Sequence, residues 1–207
     1  MSEMAINSLN NGTVMDKDRR NWIAITCGAG AIGGLATAVP FVSSFAPSER
    51  ARAAGAPVQV DISDIKPGEK RTVEWRGKPV WIVRRTPEQL ESLKKTESQL
   101  ADPKSERTQY PTPPYAKNAW RSIKPEVFVT VGICSHLGCS PVDKLTPGAQ
   151  PSLPDDWAGG FLCPCHGSTF DLAGRVFKNK PAPDNLEVPP YMFVSDGVLV
   201  IGEDKKA

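Results

Sequence analysis

Both histidines of this 207-residue chain and four of its five cysteines fall in two short boxes, Cys134-Ser135-His136-Leu137-Gly138-Cys139 and Cys163-Pro164-Cys165-His166-Gly167-Ser168. Any fold open to the sequence must bring these boxes to serve one purpose. Residues this rare are recruited together mainly by metals. Zinc accepts any tetrahedral mix of thiolate and imidazole. The competing centre is a 2Fe-2S cluster with two Cys on one iron and two His on the other. Zinc knuckles commonly set paired ligands about two to four residues apart. Here one residue separates Cys134 from His136, and two separate Cys163 from His166. Each box therefore offers one thiolate and one imidazole with a cysteine to spare, which suits the mixed cluster better than zinc.

At these residues the chain resembles the Rieske iron-sulfur proteins of cytochrome bc complexes, the ubiquinol-cytochrome c reductases. That family's boxes read Cys-Thr-His-Leu-Gly-Cys and Cys-Pro-Cys-His-Gly-Ser, so Ser135 is the one departure inside them and is not a ligand position. The resemblance implies Cys134 and Cys163 on an inner iron, His136 and His166 on an outer iron, and a disulfide between Cys139 and Cys165. It also implies that Ser168 donates to a bridging sulfide and that Leu137 shields the cluster and contacts the quinol pocket. Lys180-Pro181-Ala182-Pro183 is similar to the family's Gly-Pro-Ala-Pro loop, so Pro181 is expected to cover the cluster's third side, with Lys180 in place of glycine. The family carries a tuning tyrosine two residues after that serine, where this chain has Phe170. One potential-raising hydrogen bond is therefore expected to be missing.

The run from Trp22 to Phe45 holds no charged residue. As a helix its 24 residues reach about 36 Å, enough to cross a bilayer core with some tilt. A cleaved signal is the competing reading, with Ser44-Phe45-Ala46 as a small-residue site, but the run is longer than a usual signal core. Gly30, Gly34 and Ala38 form a small-residue stripe, and Cys27 has no second thiol near it in sequence. Lys17, Arg19 and Arg20 before the span, against Arg50 and Arg52 after it, favour a cytoplasmic N-terminus weakly. Arg19-Arg20 also resembles a twin-arginine (Tat) export signal. A disulfide in the C-terminal part needs an oxidising compartment, which in a bacterium is the periplasm. The formal net charge of +2 gives no reason to expect a nucleic-acid partner.

The expected organisation is a cytoplasmic segment over 1–21, an anchor helix over 22–45, a flexible tether over 46–57 and a cluster domain over 58–207, with the cluster-binding part at about 133–186. Val58 to Ile62 alternates with period two and reads as a strand. Arg71 to Trp75 and Pro79 to Arg84 flank Arg76-Gly77-Lys78 and read as a hairpin. Thr86-Pro87-Glu88-Gln89 carries the start signals of a short helix ending near Lys95. Ala101 to Pro125 holds five prolines and reads as a long surface excursion. Val127 to Ile133 reads as a buried strand leading to the first box, and Tyr191 to Val194 with Val198 to Ile201 as a closing hairpin. Leu145 to Trp157 reads as a surface insertion of no legible function. The sum is an all-β, antiparallel Rieske-type domain with the cluster on two loops at its tip, behind one N-terminal transmembrane helix.

By resemblance the chain is an electron-transfer subunit in the membrane, with cytochrome b and a c-type cytochrome as partners in a complex expected to be dimeric. It would take one electron from ubiquinol and pass it to the cytochrome. His166 is expected to hydrogen-bond the quinol, with His136 as the second exposed ligand. Two other members of the wider class fit the boxes: the Rieske subunit of an arsenite oxidase and the Rieske ferredoxin of a dioxygenase system. The span, the tether and Pro181-Ala182-Pro183 argue against the first, and the spare cysteines against the second.

Overall fold

A computed structural model describes residues 3–204 except 50, 52–54, 108 and 111; for residues 3–16 the backbone alone is described. Four positions of the expected tether, 50 and 52–54, thus lie outside the described residues. The chain forms two compact units, Met1–Arg52 and Ala53–Ala207.

The main element of the first unit is the helix α1, Glu3–Ser43. It starts well before the apolar run, because the preceding polar residues continue the helix rather than cap it. Its stretch Lys17–Ser43 is long and apolar enough to span a membrane. Trp22, Ile32, Leu35 and Phe41 all point away from the protein, each about 70% exposed. The hydroxyls are satisfied inside the helix: Thr26 Oγ1 donates to the Trp22 carbonyl (2.8 Å) and Thr37 Oγ1 to that of Gly34 (2.9 Å). A helix that bonds its own polar groups and turns apolar side chains outward is matched to lipid.

Among the described residues, the second unit is all-β apart from one short helix and two single 3₁₀ turns. Its strands are β1 (Val58–Asp61), β2 (Lys70–Trp75), β3 (Lys78–Arg84), β4 (Val127–Val131), β5 (Val142–Lys144), β6 (Gly160–Cys163), β7 (Ser168–Asp171), β8 (Tyr191–Ser195) and β9 (Val198–Ile201). They form three antiparallel sheets of order β1-β9-β8, β2-β3-β4 and β5-β6-β7. The β2–β3 turn places Arg76 and Gly77 at φ 53° and 70°, the left-handed pair that suits the twist of a two-residue hairpin. Helix α2 (Pro87–Thr96) has the expected reciprocal cap: Gln89 N donates to Thr86 Oγ1 (3.3 Å) and Thr86 N to Gln89 Oε1 (2.9 Å).

The third sheet has no counterpart in the sequence reading. All four residues of β6 and all four of β7 are buried. With both faces covered, the period-two alternation that marks a strand is missing. This sheet joins the others through the core, where the Phe161 and Trp81 rings stack at 5.1 Å.

The segment 101–125 is also more than a surface excursion. Ala116, Arg121 and Ser122 are fully buried. The Tyr115 hydroxyl accepts from Tyr191 N (3.0 Å), and the Tyr191 hydroxyl from Ile123 N (2.9 Å). The prolines remove backbone donors, so side chains make the fastenings. The expected surface insertion likewise ends in an anchor, Trp157, which is buried and donates through Nε1 to the Lys144 carbonyl (2.8 Å).

Three buried arginines grip the turn that follows β7. Arg85 Nη1 donates to the Leu172 carbonyl (3.1 Å), Arg121 Nη1 to that of Ala173 (3.0 Å), and Arg175 Nε to Asp171 Oδ2 (2.8 Å). Burial pushes Arg85 down to about 9 and Arg121 to about 10, so both still carry charge at neutral pH. Buried cations of this kind persist because carbonyl oxygens surround their N–H groups.

Candidate metal centre

The two boxes occupy two loops with the same local fold. The first follows β4; the second is the turn between β6 and β7, closed by the pair Cys163↔Ser168. In each, the leading cysteine's carbonyl accepts from a glycine four residues on: Gly138 N to Cys134 O at 3.2 Å, and Gly167 N to Cys163 O at 3.0 Å. Both glycines sit in the left-handed region, at φ 80° and 73°, where a side chain would strain the turn.

This geometry sorts the donors by depth. Cys134 and Cys163 are each 2% exposed. His136 is half-buried and His166 exposed, with ring centroids 4.7 Å apart. The two imidazoles, edge to face at 87°, thus lie nearer the surface than the two thiols. Burial pushes the Cys134 thiol up to about 11, while hydrogen bonds from the His136 N–H and the Ser168 hydroxyl oppose the rise; the Cys163 thiol is also in hydrogen-bond contact with it. Such a thiol is inert until a cation takes its proton's place.

The spare cysteines form the disulfide Cys139–Cys165, with Cα atoms 6.7 Å apart. Its two sulfurs lie within 4.8 Å of the Cys163 sulfur. Sulfurs committed to a disulfide are not thiolate donors, so the staple ties the loops beside the centre and leaves Cys134 and Cys163 as the free pair. Two thiols inside and two imidazoles outside fit a mixed-ligand 2Fe-2S centre, one iron to each pair.

The flanking residues have defined places. Leu137 stands 71% exposed between the imidazole of His136 and Gly138. Ser168 is fully buried, and its hydroxyl also accepts from Ala182 N (3.0 Å). That bond ties the second box to the loop holding Pro181, whose ring is exposed. Phe170 is fully buried in the same core cluster as Cys134 and Cys163, opposite Phe161 across β6.

Ser135 has a role that sequence reasoning passed over. Its hydroxyl donates to the Asp184 carbonyl (2.6 Å) and accepts from Asp184 N (3.2 Å), latching the first box to the far end of the proline loop. Each box is thus pinned to one covering loop by one serine. The available signal was that Ser135 keeps a hydroxyl at the position where the family has threonine.

A β domain with one free cysteine and one histidine on each of two facing loops defines the class of Rieske proteins, and here a disulfide also links the loops. The Rieske [2Fe-2S] domain family matches residues 57–191. The chain is 54% identical over 187 residues to the ubiquinol-cytochrome c reductase iron-sulfur subunit of Allochromatium vinosum, covering 90% of this chain and 89% of that one. It is 40% identical over 186 residues to the subunit of the same name from Bradyrhizobium diazoefficiens, covering 89% and 94%. A solved chain described as hyperthermophilic respiratory Complex III shares 28% identity over 86% of this chain and 98% of its own, with a TM-score of 0.45. The chain belongs to the family of ubiquinol-cytochrome c reductase iron-sulfur subunits, and a Rieske-type 2Fe-2S cluster is its cofactor.

Proposed function

We infer that this chain is the electron-transfer subunit of a quinol-oxidising membrane complex, taking one electron at a time from ubiquinol and passing it to a c-type cytochrome. The observation that carries this is the pair of adjacent imidazoles, His166 exposed and His136 half-buried, carried on the same two loops as two buried cysteines. Cys134 and Cys163 are assigned to the inner iron, and His136 and His166 to the outer. When bound, the cluster supplies a one-electron acceptor whose potential is raised because two neutral imidazoles replace two thiolates.

The chain's own residues do the rest. His166, the more exposed imidazole, presents its outward ring nitrogen to the quinol hydroxyl and can receive its proton, with His136 as the second such site. Leu137 offers the quinol ring an apolar contact. The loop at Pro181 keeps water from the cluster, and the serine bonds to Ala182 and Asp184 hold that loop in place. Ser168, whose hydroxyl bonds to the Cys134 thiol, would favour the reduced state of a bound cluster by donating to sulfur there. Helix α1 anchors the subunit beside cytochrome b in the bacterial inner membrane, with the β domain in the periplasm, a reading supported by the disulfide, which needs an oxidising compartment. Residues 46–57 act as the tether, in a dimeric complex.

EPR of reduced membranes, with and without a quinol-site inhibitor, tests this reading. The expected result is a mixed Cys/His 2Fe-2S signal that the inhibitor perturbs, copurifying with b- and c-type haems. A signal indifferent to quinol-site inhibitors, or a preparation free of haem, would remove it.

A further inference from the structure

Beside the first box lies a cavity of about 230 Å³, lined by Lys78, Tyr110, Ile133, Cys134, Ser135 and Glu187. Among these lining residues only Lys78 and Glu187 are formally charged at neutral pH, and they meet as an ion pair, Nζ to Oε2 at 3.1 Å. Strands hold both ends. Lys78 opens β3 opposite Trp75, and the next carbonyl, that of Pro79, accepts from Gly132 N (2.8 Å). The Glu187 carbonyl accepts from Val131 N (2.8 Å) and from Thr130 Oγ1 (2.8 Å). Gly132 is part of this arrangement: a side chain there would overlap the Trp81 ring, so the chain entering the first box runs flush against β3. A cation and an anion are thereby fixed beside the thiol assigned to the inner iron.

We propose that Lys78 and Glu187 each shift the redox potential of the cluster from the Cys134 side, in opposite directions, and that their pairing holds the two influences in balance. This rests on the ligand role assigned above to Cys134. Reduction adds a negative charge to the centre, which a neighbouring ammonium favours and a neighbouring carboxylate opposes. Charges sharing one cavity of this size sit within the roughly 10 Å screening length of 0.1 M salt. The side chains are 44% and 28% exposed, and pairs so open to solvent add little to stability. The potential is therefore the property that responds when the pair is broken.

The test is an EPR-monitored redox titration of the full-length protein in detergent-solubilised membranes. Lys78→Met leaves Glu187 unpaired and should lower the potential. Glu187→Gln leaves Lys78 unpaired and should raise it. Each shift is expected to change the reduction equilibrium constant about threefold, the effect of one charge at this range in a mostly aqueous dielectric. The double variant should return close to wild type, and high salt should shrink both single shifts. Equal-signed shifts, or none, in the two single variants would overturn the proposal, since loosening of the fold acts without regard to charge. If Lys78→Met does not retain the cluster, Glu187→Gln is set against Lys78→Arg. A rise in the first with no change in the second supports the proposal, and equal shifts overturn it. A wild-type protein without the mixed Cys/His signal would instead overturn the ligand assignment beneath it.

Discussion

The two ends of β7 are built in opposite ways. At the Ser168 end, the tip is held by a few single fasteners: one disulfide, one hydroxyl per box and two left-handed glycines. At the Asp171 end, buried guanidinium groups each bond to more than one residue; Arg121 alone reaches the Ala173 and Leu186 carbonyls and the Thr112 hydroxyl. The difference follows from what each end must leave free. Under the proposed function the tip has to leave His136, Leu137 and His166 within reach of a quinol, so those side chains cannot be held by deep burial. The base exposes nothing of use and can be solid. Damage at the tip should therefore appear in the cluster, and damage at the base in stability.

The sharpest break is Cys163→Ala, which removes one of the two buried free thiols in the boxes. Bound iron in the purified protein should fall to background; retained iron with an unchanged EPR signal would contradict the ligand assignment. Next comes the double change Cys139→Ser and Cys165→Ser. The bridge spans a sequence separation of 26 residues. Its loss should cost about 3 kcal/mol, with the cluster signal disappearing at a lower temperature than the β-sheet circular dichroism.

Arg121→Met tests the base. It strands three buried acceptors but also removes a buried charge, so a net loss of about 2 kcal/mol is expected in thermal or denaturant unfolding. The cluster's EPR line shape should stay that of wild type; a changed line shape would erase the contrast between the two ends. Phe170→Tyr probes the strand that joins them. Adding a hydroxyl close to the ligand sulfurs should raise the potential in a redox titration, and an unchanged or lower potential would show that the hydroxyl points elsewhere.

The smallest effect belongs to the surface. The hydrogen bond from Arg71 holds the Asp64 carboxyl below its usual value. The stability from such a depressed carboxylate is present above the unfolded pKa and is lost as pH falls below about 4. Asp64→Asn should make the acid limb of a stability–pH curve slightly shallower without moving the cluster signal.

Legibility in the sequence followed how local the cause was. The Arg76-Gly77 turn and the Thr86–Gln89 cap are settled within a few residues, and both can be read from those residues alone. The short strands β5, β6 and β7 cannot, because burial on both faces of β6 and β7 removes the alternation that would mark them. Arg121 reads as one more surface charge, since nothing near it in the chain announces that carbonyls from residues 173 and 186 will surround it.

The donor set and the apolar length of α1 are legible in the residues alone, because residue chemistry and short spacing fix them whatever surrounds them, and the Cys139–Cys165 bridge is legible through the family resemblance. How deep each donor lies, and which hydroxyls and charges border it, came from the tertiary structure. Those depend on contacts between segments far apart in the chain: Ser135 with Asp184, Arg121 with Leu186, Lys78 with Glu187.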